Sequence, residues 1–187
     1  MRSLFPALAF ALALAGRQSV QTATPVASSS FDASEAAFSK TKGETKIEGH
    51  AFWRDDKGGA INAAGEIVRL VPVTAYSRER FAALYRGQRS IPASQISQAP
   101  SDPQYADYTR TTRAESSGRF EFEGVAPGDY FVASQVRYKD KDSFVHLQSG
   151  AFNQYLRMGN DGGAMFEKAT VTGKEEKAIK LVLTNDR

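Results

Sequence analysis

The stretch Ser116–Tyr138, SSGRFEFEGVAPGDYFVASQVRY, decides the fold. After the turn residues Ser116, Ser117 and Gly118, the aromatic side chains of Phe120 and Phe122 alternate with Arg119, Glu121 and Glu123. A period of two puts the rings on one face of a strand and the charges on the other. Ala126-Pro127-Gly128-Asp129 then has the residues of a type II turn, with Pro127 presetting its own φ and Gly128 tolerating a positive one. Tyr130, Val132, Val136 and Tyr138 resume the alternation on a second strand. Two strands joined in this way predict a hairpin with one apolar side.

The same patterning spreads upstream. Glu44–Arg54 (ETKIEGHAFWR) places Ile47, Gly49, Ala51 and Trp53 on one face and Glu48, His50, Phe52 and Arg54 on the other. Asp55-Asp56-Lys57-Gly58-Gly59 supplies a turn, and Glu66–Thr74 (EIVRLVPVT) is dense in branched apolar residues, as a well-buried strand requires. Ser77–Arg86 changes period: Phe81, Leu84 and Tyr85 are spaced for a helix, with Ser77 and Gly87 as caps, lying over one sheet edge. From Gln88 to Asp107 the prolines Pro92, Pro100 and Pro103 predict a long loop without helix or interior strand, and this loop is the leading candidate for a contact surface.

Downstream, Lys139–Asp142 reads as a polar turn and Ser143–Leu147 as a short strand. Met165–Val171 and Ala178–Leu183 supply the last strands, with Ile179, Leu181 and Leu183 facing inward. The sum is an all-β chain: a seven- to eight-stranded antiparallel β-sandwich with one short helix and a long loop.

Thr112–Ser134 resembles the carboxypeptidase regulatory-like domain, whose sandwich is of the transthyretin-like (prealbumin-like) or carbohydrate-binding-like kind. The match lies in SGRFEF (Ser117–Phe122) and GVAPGDY (Gly124–Tyr130), and more loosely in Ile47–Phe52 and Leu70-Val71-Pro72. The resemblance implies an accessory, binding or structural module of the bacterial cell envelope that contacts a protein or a glycan. The matched residues have packing and turn roles, so they imply a fold and no chemistry.

Sharper readings find weak footing. Transthyretin-like sandwiches include hydrolases of small heterocyclic substrates that use histidines, an arginine and a C-terminal Tyr-Arg-Gly-Ser tail. His50, His146 and Arg86 are the residues that such a hydrolase would use here, but Tyr85-Arg86-Gly87-Gln88 lies mid-chain and the chain ends Leu183-Thr184-Asn185-Asp186-Arg187. His50 and His146 lack the spacing of a zinc site, and Asp55-Asp56 and Asp140-Asp142 lack that of a calcium loop. Gram-positive pilin-like domains place a crosslinking glutamate where this chain has Ser134. Trp53 shares its strand face with Ile47 and reads as core. No catalytic, metal or cofactor residue is therefore expected, and no cofactor.

Composition agrees with a folded module: 41% hydrophobic and 24% charged residues, with no cysteine, leave burial and strand pairing to hold the domain. A formal charge of +3 without a Lys/Arg run argues against a nucleic-acid partner. Met1-Arg2-Ser3 followed by the apolar run Leu4–Ala15 reads as a signal peptide with cleavage after Ala15, which leaves no transmembrane span in the mature chain. Leu14-Ala15-Gly16 resembles a lipoprotein signal, but Arg17 stands where the lipid-bearing cysteine would be, so lipidation at position 17 is not expected. Residues 16–43, rich in Ser, Thr and Ala, are expected to form a flexible tether with at most a short helix capped by Ser34, and residues 44–187 the domain. The expected address is periplasmic, secreted or envelope-associated.

Overall fold

The computed structural model describes residues 27, 29–97, 99–138, 144–149, 152–157 and 161–186. The signal-peptide reading of residues 1–15 and the lipidation reading at Arg17 lie outside these residues, as do Asp140 and Asp142.

The strands are β1 (Thr45–Arg54), β2 (Ala60–Asn62), β3 (Ile67–Pro72), β4 (Ser90–Pro92), β5 (Arg110–Arg113), β6 (Arg119–Val125), β7 (Gly128–Tyr138), β8 (Phe144–Ser149), β9 (Phe152–Arg157), β10 (Asp161–Val171) and β11 (Ile179–Leu183). In the first sheet β1 lies between β11 and β6, with β2 pairing the last residues of β1. The second sheet runs β4-β10-β7-β3-β5, and β8 pairs with β9 in a separate ladder. The all-β sandwich expected from the alternation is present. Eleven strands among the described residues exceed the seven or eight expected because short pairings such as β2 and β4 carry no periodic signal. One pairing departs from the antiparallel pattern: β1 and β11 run parallel, with Ile47 opposite Ile179 and Ala51 opposite Leu183.

The deciding stretch folds differently from the hairpin it predicts. β6 pairs with β1 in the first sheet, whereas β7 pairs with β3 and β10 in the second. Val125, Ala126 and Pro127 therefore carry the chain across the sandwich, and the rings of Phe120 and Phe122 face Tyr130 and Val132 through the core instead of lying beside them. Gly128 has φ of +150°, away from the roughly +80° of a type II turn. A buried hydrogen bond fixes the corner: the Tyr130 hydroxyl donates to the Ala126 carbonyl at 3.0 Å. Period-two patterning reports which side of a strand is buried but not which strand it pairs with, so a hairpin and a sheet-to-sheet crossing look alike in sequence.

The main core fills the space between the sheets with Ile47, Phe120, Phe122, Val125, Leu70, Tyr130, Val132, Met165 and Leu183 among its buried members. Each such side chain contributes about 1.5–3 kcal/mol by leaving water. Trp53 packs against this cluster as expected, its ring over Gly163, where an added Cβ would stand 2.3 Å from Trp53 Cη2.

The second sheet is covered on its outer face too. α1 is the single turn Ala33–Ala36, and α2 spans Ala75–Tyr85. The Thr74 side chain caps α2, accepting the Ser77 N–H at 3.1 Å while the Ser77 hydroxyl accepts the Thr74 N–H at 2.8 Å. Ser77 is thus the third helical residue, not the cap. Arg86 closes the helix in the left-handed region at φ 52°, followed by Gly87 at 74°. Phe81 stacks on Phe131 of β7 with centroids 4.4 Å apart and meets Phe166 of β10 edge-on at 5.0 Å. The helix accordingly covers the face of the sheet, not its edge.

Three further expectations are corrected. The tether reading fails for the described part of residues 16–43: Phe31 and Ala36 are buried, and Phe31 makes ring contacts with Tyr76, Tyr105 and Tyr108. These few apolar residues have partners waiting on distant segments, which local composition does not reveal. The cap of the short helix is Asp32, whose carboxylate accepts the Ser34 N–H at 2.8 Å. The long loop also holds more secondary structure than expected: it contains the edge strand β4 and two 3-10 segments, Ala93–Gln95 and Pro103–Tyr108, with Ile91 buried.

Candidate functional site

A cavity of about 380 Å³ opens on the outer face of the second sheet, beneath the segment 96–109 and beside α2. Its floor comes from strand alternation. Val68 and Leu70 of β3 point into the sandwich, so Arg69 and Val71 point outward; likewise Ala133 and Gln135 face out where Val132 and Val136 face in. Ala133 and Ala164 are small, and space remains above them between Leu84 of α2 and Ile96 of the overlying segment.

The overlying segment is tied down at several points. Arg80 of α2 donates to the carbonyls of Ala99 at 3.0 Å and Pro100 at 2.9 Å. The Tyr76 hydroxyl accepts the Asp102 N–H at 2.8 Å. Phe31 then wedges beside Tyr105 and Tyr108, and Glu35 accepts the Ala75 N–H at 2.7 Å. Burial pushes the phenols of Tyr85 and Tyr105 well above the ordinary tyrosine range, so both remain neutral hydroxyls, with Arg69 close enough to oppose the shift in each case.

The cavity's polar groups are hydroxyls of Ser97, Ser101, Tyr105, Thr109 and Thr111, the amide of Gln135, and two guanidiniums, Arg69 and Arg80. Among the described residues no carboxylate or imidazole lines it. An apolar floor ringed by hydrogen-bonding groups suits binding.

The sequence candidates lie elsewhere. His50 sits on β1, where its Nε2 is 2.7 Å from the Ser117 carbonyl oxygen and 3.2 Å from Asn62 Oδ1. Both partners accept, so Nε2 carries the proton and ties β1 to the turn before β6. Arg86 ends α2 and donates to Gln95 Oε1 at 3.3 Å. His50 and Arg86 are therefore on different sheets' outer sides and are not brought together. His146 lies on β8, opposite Tyr155 in register, and its side chain is outside the described residues. Asp55 is a turn residue, accepting the N–H groups of Lys57 at 3.0 Å and Gly59 at 2.6 Å. Among the described residues no three of His, Asp and Glu cluster as a metal site would need. Ser134 is buried and donates to the Ile67 carbonyl at 3.2 Å.

Two other depressions are lined by charges of both signs. A basin of about 790 Å³ holds Lys40, Lys46 and Arg110, but Lys40 donates to the Asp107 carbonyl, Lys46 pairs with Glu48 and Glu121, and Arg110 donates to the Glu123 carbonyl. The depression around His50, Arg119 and Lys180 mixes both signs of charge with Glu48, Glu115 and Glu121.

Sequence reasoning singled out the 88–107 segment and missed Arg69 and Tyr105. The signal for Arg69 was there: it is a lone charge in the otherwise apolar run Ile67–Val73. Among the described residues no helix is long and apolar enough to cross a membrane. No protein-family model and no curated protein matches the chain. Among solved structures the chain is similar to a Pseudomonas aeruginosa protein, a candidate carbohydrate-binding protein seen at 2.61 Å, with 23% identity and a TM-score of 0.60 over 83% of this chain and 97% of that one. At that identity the likeness shows a shared β-sandwich fold.

Proposed function

We propose that this chain is a non-catalytic binding module of the bacterial cell envelope, of the carboxypeptidase regulatory-like type, that engages a glycan or a protein through the cavity beneath residues 96–109. One observation carries the reading: an apolar, well-tied cavity whose lining has hydrogen-bonding groups and, among the described residues, no acid–base pair. The exported address follows from the N-terminal pattern and suits such a role. The Pseudomonas aeruginosa neighbour's description as a candidate carbohydrate-binding protein supports a glycan as the first ligand class to test.

A glycan array probed with the wild-type chain and with Thr111→Trp tests this. Thr111 is exposed on the edge strand β5 and lines the cavity, so an indole there fills the opening without entering the core. The reading expects array signals that the substitution removes while the melting temperature stays unchanged. Signals equal in both proteins would place binding elsewhere, and hydrolysis of an arrayed ligand would overturn the non-catalytic role.

A further inference from the structure

Arg69 occupies an unusual position. It stands mid-sheet on the outer face, with Thr111 of β5 opposite it on one side and Ala133 of β7 on the other. Neither neighbour is acidic, and among the described residues Arg69 has no carboxylate or carbonyl partner. Arg80, the cavity's other guanidinium, is committed to the Ala99 and Pro100 carbonyls and holds the wall in place. Among the described residues, the cavity therefore carries a positive charge over an apolar floor with no carboxylate in its lining.

We propose that the cavity takes a small amphipathic anion: a carboxylate that pairs with Arg69, borne on an apolar body that lies over Ala133 and Ala164 between Leu84 and Ile96. This rests on the cavity being the binding site, as argued above, and goes beyond the glycan or protein named there to a small-molecule ligand. Charge complementarity decides the head, because the exposed Arg69 guanidinium presents paired donors matched to a carboxylate. The floor decides the body. Hydroxyls placed against Val71, Leu84, Ile91 and Ile96 would lose their water partners without replacement, whereas an alkyl or aryl group gains by burial there. The neutral Tyr105 phenol adds a donor at the rim.

Methyl NMR of the full chain, titrated separately with decanoate, decanol, glucuronate and a neutral glycan fragment, tests the proposal with Arg69→Gln and Arg69→Lys as variants. The expected result is saturable movement of the Leu84, Ile91 and Ile96 methyl signals by decanoate, with affinity falling about tenfold in Arg69→Gln and less in Arg69→Lys. Decanol is expected to bind about tenfold more weakly than decanoate to the wild type, and equally to wild type and Arg69→Gln. Equal decanoate affinity in wild type and Arg69→Gln overturns the proposal. So does glucuronate moving these signals where decanoate does not. A neutral glycan that moves the cavity methyls independently of Arg69 would leave the binding site standing and remove only the anion. If no probe moves them and Thr111→Trp leaves glycan-array signals intact, the site itself is wrong.

Discussion

The ring of Phe38 lies against Gly128, so close that a Cβ on Gly128 would stand 2.2 Å from Phe38 Cε2. Phe38 comes from the segment that composition marks as a tether, and Gly128 from the turn that marks the fold. The contact seals the corner where the chain passes between sheets, because Phe38 also meets the Tyr130 ring edge-on at 5.4 Å. Gly128→Ala is expected to cost about 2–3 kcal/mol, through overpacking and a φ of +150° that side chains avoid. Urea unfolding checks this, and a loss under about 0.5 kcal/mol would mean that Phe38 moves aside freely.

Tyr130 is the second test of that corner. Its hydroxyl, with its pKa pushed up to about 12 by burial, stays a donor at every ordinary pH. Tyr130→Phe leaves the buried Ala126 carbonyl without that partner and is expected to cost about 1–3 kcal/mol. Chemical denaturation monitored by the fluorescence of Trp53, the one tryptophan in the sequence, reads the change.

Phe31 packs the N-terminal segment against Tyr105, which lines the cavity, and against Tyr76 and Tyr108 beside it. Phe31→Ala is expected to remove about 3 kcal/mol of packing and to loosen residues 96–109 before the sandwich itself opens. Limited proteolysis is expected to nick the variant near Ser97–Ser101 several-fold faster than the wild type. Unchanged cleavage would show that the segment does not depend on this anchor.

Glu175 gives the acid limb of stability. Its carboxylate accepts the N–H and hydroxyl of Thr172, each at 2.7 Å, the Gly173 N–H at 3.0 Å and the Thr45 hydroxyl at 2.8 Å. The backbone and hydroxyl bonds from Thr172 lead in lowering its pKa from 4.5 to about 2. The folded carboxylate thus holds its proton less tightly than the unfolded one. Its contribution is fully present above pH 4.5 and fades as pH falls towards 2. Glu175→Gln is expected to flatten the melting temperature against pH in that window, and an identical acid limb would exclude Glu175 as its source.

The sequence made burial legible and connectivity much less so. Phe120, Phe122, Tyr130 and Val132 are buried as their alternation predicts, because side-chain direction is a local property of an extended chain. Partner choice is not local, and so β6 and β7 read as a hairpin although they lie in opposite sheets. The same limit hid the order of Phe31 and Phe38, whose partners are Tyr76, Tyr105, Tyr108 and Tyr130 far along the chain. For the site, the prolines of residues 88–107 correctly marked a non-repetitive surface segment. Its role as a roof emerges only when Arg80 and Tyr76 of α2 are seen to hold it.

The central claim is that binding occurs on the outer face of the second sheet and not in the depression around His50. Capture from an envelope extract by three tagged chains compares the two directly: wild type, Thr111→Trp, and Lys180→Trp, which fills the His50 depression instead. With melting temperatures matched, the account predicts that Thr111→Trp loses the captured partner to background while Lys180→Trp retains it. Retention by Thr111→Trp together with loss by Lys180→Trp would contradict it.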